Sequence, residues 1–251
     1  ASTDSRLPVS VFCPAGTAAE RWCASVAGTE RACRSRDIPG TELVKPAFRM
    51  AVLASAAFIS LLVLLELLDQ WFGLNLSRLG VYPRTLRGVP GILAAPLIHG
   101  DWLHLISNSF ALLVLGTVLY YGYPRTALRL LVLVWLGSGL GVWLFARESF
   151  HFGASGLTHG LMFFIFVSGI LRHDRLSIAL SMIVFFLYGG MVWTIFPTGP
   201  GVSFESHFFG AVTGLTGAFL FFGRDPLPPE KHYDWEDEDE PDDSEPPFDR
   251  Y

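Results

Sequence analysis

Charge is what this chain has least of. Asp, Glu, Lys and Arg together make up 16% of its 251 residues, against 51% hydrophobic. At a mean hydropathy of +0.42 there is too little polar surface to coat a soluble globule, and the composition points to a membrane. Cysteine is nearly as scarce: Cys13, Cys23 and Cys33 are the full set. An odd count at ten-residue spacing fits neither a disulfide framework nor a zinc pattern, and three free thiols are expected. A basic block is lacking too, and the formal net charge is −5, so no nucleic-acid partner is expected. That charge is unevenly spread. Residues 223–251 hold 12 acidic and 3 basic side chains, a balance of −9, which leaves 15 basic and 11 acidic in the remainder, or +4.

Three regions follow from composition. Residues 1–45 are small, polar and aperiodic, without the apolar core of a signal peptide, and are expected to be poorly ordered. The first Met, Met50, opens the first apolar run, and the residues before it are expected not to belong to the native protein; finding them by intact-mass measurement of native material would refute this. Residues 46–223 form the membrane domain. Residues 224–251, with DWEDEDEPDDSE, have the composition of a solvated, disordered acidic tail.

Within the membrane domain, MAVLASAAFISLLVLLELL is a run of 19 residues with one acid, Glu66, long enough to cross about 30 Å of hydrocarbon at roughly 1.5 Å per residue. A stretch over 70–98 follows, with Pro83, Pro90 and Pro96 but also Trp71, Phe72, Leu93 and Leu97, a mixture suited to the membrane interface. Further apolar runs lie at 102–121, 127–146, 155–171, 176–196 and 206–222. The expected fold is therefore all-α, a six-transmembrane-helix bundle. Six spans place both termini on one side. Lys45, Arg49, Arg125, Arg129, Arg172, Arg175 and Arg224 fall there, against Arg78, Arg84, Arg87 and Arg147 opposite, which favours cytoplasmic termini.

Ionisable residues inside spans are costly and are functional candidates by default. The second span enters from the external face as HGDWLHLISN, with His99, His104 and Asn108; the fourth as FGASGLTHG, with Ser155 and His159; the sixth as ESHFFGAVTG, with His207. Even-numbered spans run in the same direction, so these residues converge near one depth. His104 and Asn108 share a helix face, as do Ser155 and His159. Gly156 with Gly160, and Gly210 with Gly214, are small residues at the spacing that lets two helices approach closely, bringing Ser155 toward His207. A serine needs an adjacent base to become a nucleophile. Ser155 also starts a helix, where unpaired N–H groups can stabilise an oxyanion, with His104 and Asn108 as further donors.

Gly153-Ala154-Ser155-Gly156, His104 to Asn108, and His207 with Gly210 and Gly214 resemble, in their order and spans, the GxSG, HxxxN and sixth-span histidine motifs of the rhomboid family of intramembrane serine proteases. The resemblance covers about residues 50–223 and includes His99, five before His104. It implies that Ser155 is the nucleophile and His207 the general base of a dyad without an acidic orienter, Glu205 lying at the mouth. It further implies an oxyanion hole of His104, Asn108 and the Ser155 N–H, close substrate approach at Gly153, and no cofactor. The partners implied are transmembrane protein substrates, cut in or beside their spanning helices after local unwinding, and the lipid bilayer. Water would enter from the external side beneath residues 197–205. The chain departs from the family at His159, where an aromatic commonly packs on the catalytic histidine. His159 is expected to stack in that role, the alternative being a second base on the same face.

Blander interpretations stand beside these. His151 and His173 read as polar glue or interfacial residues. A zinc site built from the histidines would leave the GASG turn and Asn108 unexplained and has no HExxH. No paired broken helices suggest a transporter. The main alternative is a catalytically silent rhomboid-like protein that binds transmembrane helices. Compact loops are expected to place the protein in a cytoplasmic membrane of prokaryotic type, as a multi-pass protein with the site opening outward.

Overall fold

The computed structural model describes residues 48–197 and 202–226. The cysteines, the first 45 residues, part of the loop at 197–205, and the tail from 227 onward lie outside the described residues.

Six long helices form the described chain: α1 Phe48–Phe72, α2 Trp102–Gly122, α3 Ala127–Phe145, α4 Ser155–Arg172, α5 Arg175–Tyr188 and α6 Phe204–Phe221. Helix is the form in which an apolar segment satisfies every backbone group internally, as hydrocarbon surroundings require. Five stretches are long and apolar enough to cross a membrane: α1, α2, α3, α4, and α5 continued to Ile195. The protein is thus a multi-pass membrane protein in contact with lipid. α6, at 18 residues, carries Glu205, Ser206 and His207 in its first turn and is not among these five. It packs chiefly against α4 and also against α3, completing the six-helix count expected.

The helix ends have local causes. Asp101 accepts the His104 N–H at 2.8 Å and starts α2; Asp174 accepts the Ser177 N–H at 3.0 Å and starts α5. Between α4 and α5 the chain turns at His173, in the left-handed region with φ 57°. α5 gives way at Gly189-Gly190 to a 3-10 stretch, Gly189–Ile195.

α4 sits at the centre, with 61% of its span buried, whereas α5 has 17%. Leu62, Leu105, Leu115, Leu119, Leu130, Phe164 and Ile165 fill the core between the helices. The segment from 73 to 101 is a chain of short turns with a single antiparallel bridge from Val81 to His151, and Leu79, Leu86 and Leu93 stand exposed on it. At the opposite end of the bundle Arg172 is a staple. Its guanidinium bonds Asp174 and Ser177 at 2.8 Å and the carbonyls of Phe222 and Asp225 at 2.8 and 2.9 Å, holding the chain just past α6 against the α4–α5 corner.

Candidate active site

The turn before α4 needs glycine on two counts. Gly153 has φ 110°, a conformation that side chains disfavour, and a Cβ there would stand 2.6 Å from His104 Nε2. Its N–H donates to the Ala95 carbonyl at 2.8 Å. Ser155 is then the first residue of α4, and the N–H groups of that first turn have no intrahelical acceptor.

α2 supplies the wall facing this turn. Its Asp101 cap places His104 in the first turn, and Asn108 lies one turn further on the same face. The His104 ring fills the space that Gly153 leaves open, and Asn108 Nδ2 lies 3.7 Å from the same point. His99 secures both parts. Its Nε2 accepts the Ala154 N–H at 3.4 Å, so that nitrogen carries no proton, and Asn108 Nδ2, 3.1 Å away, must be donating to it. One amide hydrogen of Asn108 is thereby used and the other left over. Burial, followed by the neighbouring His104 charge and opposed by Asp101, pushes the His99 pKa down to about 4.

His207 comes from α6. Ser203 caps that helix, and glycines bring it onto α4: a Cβ at Gly156 would stand 3.0 Å from the Ser206 carbonyl oxygen, and one at Gly210 would overlap the Gly156 carbonyl. Nδ1 of His207 donates to the Thr194 carbonyl at 2.9 Å, which leaves Nε2 as the ring's free lone pair. The ring stacks on His159, with centroids 4.1 Å apart and planes at 9°. Both nitrogens of His159 are engaged, Nδ1 with the Ser155 carbonyl at 2.7 Å and Nε2 with Thr194 Oγ1 at 2.8 Å.

The structure therefore gathers Gly153, Ser155, His99, His104 and Asn108 on one side and His159 with His207 on the other, joined through the α4–α6 contact. Among the described residues no hydrogen bond links Ser155 Oγ to His207. Glu205, in the first turn of α6, is 7% exposed and lies 3.4 Å from Arg147 Nε. Two contributors have no motif to announce them: Thr194, which holds both imidazoles, and the Ala95 carbonyl. Among the described residues no cluster of three His, Cys, Asp or Glu side chains is arranged to hold a metal ion.

Residues 87–224, more than half the chain and including every one of these side chains, match the Rhomboid domain. The chain belongs to the rhomboid family. Uncharacterized proteins of Mycobacterium tuberculosis and Mycobacterium bovis are similar to this rhomboid protein, each 35% identical over 172 residues that cover 65% of this chain and 72% of theirs. An uncharacterized protein of Mycobacterium leprae is 33% identical over 172 residues, 65% of this chain and 68% of its own. The family places this chain among the intramembrane proteases and their silent relatives, embedded in the bilayer.

Proposed function

We propose that this protein is an intramembrane serine endopeptidase that cuts membrane-anchored proteins in or beside their spanning helix, with residues 46–223 as the catalytic domain. Ser155 Oγ attacks the scissile carbonyl and its proton passes to His207 Nε2; the oxyanion that forms is met by the Ser155 N–H, His104 and Asn108. Collapse expels the amine, which takes the proton from His207, and water then hydrolyses the acyl-enzyme by the same route in reverse roles. A helix conceals its carbonyls in its own hydrogen bonds, so substrates with helix-weakening residues near the cut are favoured.

One observation carries the choice of base. His207 keeps a free Nε2 because Thr194 occupies its Nδ1, whereas both nitrogens of His159 are already engaged. His159 is thus the stacking partner and Nδ1–H its donor to Ser155. The excess of Lys and Arg at one set of span ends supports cytoplasmic termini, a site opening to the external side, and residence in a cytoplasmic membrane.

The silent alternative, a rhomboid-like protein that binds transmembrane helices without cutting them, draws on the missing Ser155–His207 hydrogen bond. Such bonds are commonly long before substrate arrives. A serine-directed fluorophosphonate is expected to label the purified protein, and both Ser155→Ala and His207→Ala to abolish labelling and cleavage of a single-span substrate. Labelling that survives His207→Ala would overturn the dyad, and a wild-type protein that neither labels nor cleaves would favour the silent form.

A further inference from the structure

The loop between α3 and α4 holds a histidine that this chemistry leaves unused. His151 is 2% exposed. Its backbone N–H donates to the Val81 carbonyl at 2.9 Å, and its carbonyl accepts the Val81 N–H at 2.8 Å, so its main chain is held by the segment before α2. Its side chain reaches two other places. Nε2 lies 2.9 Å from the Arg147 carbonyl; a carbonyl only accepts, so Nε2 bears the proton and Nδ1 is left as an acceptor. That acceptor is 2.6 Å from Ser203 Oγ, so the Ser203 hydroxyl donates to it. The neutral ring is the form this pattern requires, and burial, aided by the Arg147 charge and opposed by the Arg147 carbonyl and Glu205, pushes the His151 pKa below that of an exposed imidazole.

Ser203 is the cap of α6. Its Oγ accepts the Ser206 N–H at 3.4 Å and lies 2.8 Å from Ser206 Oγ. Its carbonyl accepts the N–H groups of Ser206 and His207 at 3.1 and 3.4 Å. One imidazole therefore joins the strand of chain two residues before Gly153 to the first turn of the helix that bears His207. The glycine contacts set how closely α4 and α6 approach, but the first turn of a helix is the part that frays. Arg147 adds a second tie from the same loop, with Nη2 2.6 Å from the Val202 carbonyl.

We propose that His151 is a positioning residue: through Ser203 it holds the cap of α6 against the nucleophile turn and so sets the place of His207 relative to Ser155. The proposal rests on the serine-protease reading above. It assigns a role to one bond of two, which makes it separable from a general contribution to loop stability. Asparagine puts its Oδ1 where the His151 Nδ1 stands and keeps an acceptor for Ser203, while glutamine reaches toward the Arg147 carbonyl and loses that acceptor.

The test uses full-length protein in detergent or liposomes, with a single-span substrate and a fluorophosphonate as independent readouts. His151→Gln and Ser203→Ala are expected to lower kcat by about tenfold to a hundredfold, with KM within about twofold and slower labelling of Ser155. His151→Asn is expected to retain at least about a third of the wild-type kcat, and the double variant His151→Gln with Ser203→Ala to be no worse than either single. Ser203→Ala removes one oxygen from a half-buried residue, so it carries the test even where His151→Gln melts early. Wild-type kcat in Ser203→Ala, equal loss in His151→Asn and His151→Gln, or additive losses in the double variant would overturn the proposal while leaving the protease intact. A wild-type protein that neither cleaves nor labels would remove the protease reading and this proposal with it.

Discussion

Gly210→Ala tests the packing on which the site depends. A methyl group there would overlap the Gly156 carbonyl oxygen, with the carbonyl carbon 2.8 Å away and Cα 3.0 Å away. Ordinary contact begins near 3.4 Å, so the carbon alone asks α6 to retreat by 3.4 − 2.8 = 0.6 Å, and the oxygen asks for more. Both obstacles are backbone and cannot rotate aside. The expected opening is therefore about 1 Å, directly below the turn that carries His207. Misplacement of that size costs roughly 100-fold in rate, equivalent to about 2.7 kcal/mol of activation free energy. Overpacking costs about 1–3 kcal/mol of stability, so the variant is expected to fold with a lowered melting temperature. Gly223→Ala is the control, because a methyl there meets nothing within 4 Å. The assay is kcat for a single-span substrate together with the fluorophosphonate labelling rate in the same preparation. A Gly210→Ala protein with kcat within about threefold of wild type would refute the close approach of α4 and α6 as the source of the geometry.

Three further outcomes follow from the site. His159→Phe keeps a flat ring against His207 and is expected to retain kcat within about tenfold, whereas His159→Ala, which removes a stack worth about 0.5–1.5 kcal/mol together with the ring's bulk, is expected to lose more; equal losses would argue against stacking as its role. Asn108→Ala removes a proposed oxyanion donor and is expected to lower kcat by about 100- to 1,000-fold with little change in KM, so a pure KM effect would exclude that role. His99 is neutral in the fold, its pKa being about 4 against about 6.5 when unfolded. Its contribution is fully present above pH 6.5 and is lost as pH falls toward 4, to a total of about 3 kcal/mol. Thermal unfolding of wild type and His99→Gln between pH 7 and pH 4.5 should show a smaller acid-induced drop in the variant, and parallel drops would contradict this.

Much of the fold was legible because apolar runs of spanning length leave the chain little choice. The departures are at the ends, where hydropathy says nothing about hydrogen bonds. α1 runs on past its apolar stretch because Gln70 Nε2 reaches Glu66 Oε1 one turn back at 2.8 Å, and Asp69 Oδ1 then accepts the Leu76 N–H at 3.0 Å. α5 stops being α-helical at Gly189-Gly190, although the apolar pattern continues to Phe196. In the site, the motif residues announced themselves because ionisable groups are rare in spans. Their partners did not: Thr194 meets His159 across 35 residues, His151 meets Ser203 across 52, and Glu205 meets the Arg147 N–H across 58. Threonine and serine are ordinary in such helices, and only the folded chain distinguishes these from their neighbours.

Thr194 belongs to the stretch that prolongs α5, the helix with the smallest share of its surface against the rest of the protein. Its carbonyl fixes one imidazole and its hydroxyl the other. An outward excursion of α5 would withdraw both anchors at once, leaving His207 free to spin and His159 with only the Ser155 carbonyl. The loosest wall of the bundle is thus wired to the imidazole proposed as its proton acceptor. On the protease reading proposed above, whatever parts that wall from the core also disarms the site, and cutting waits until the wall is seated again.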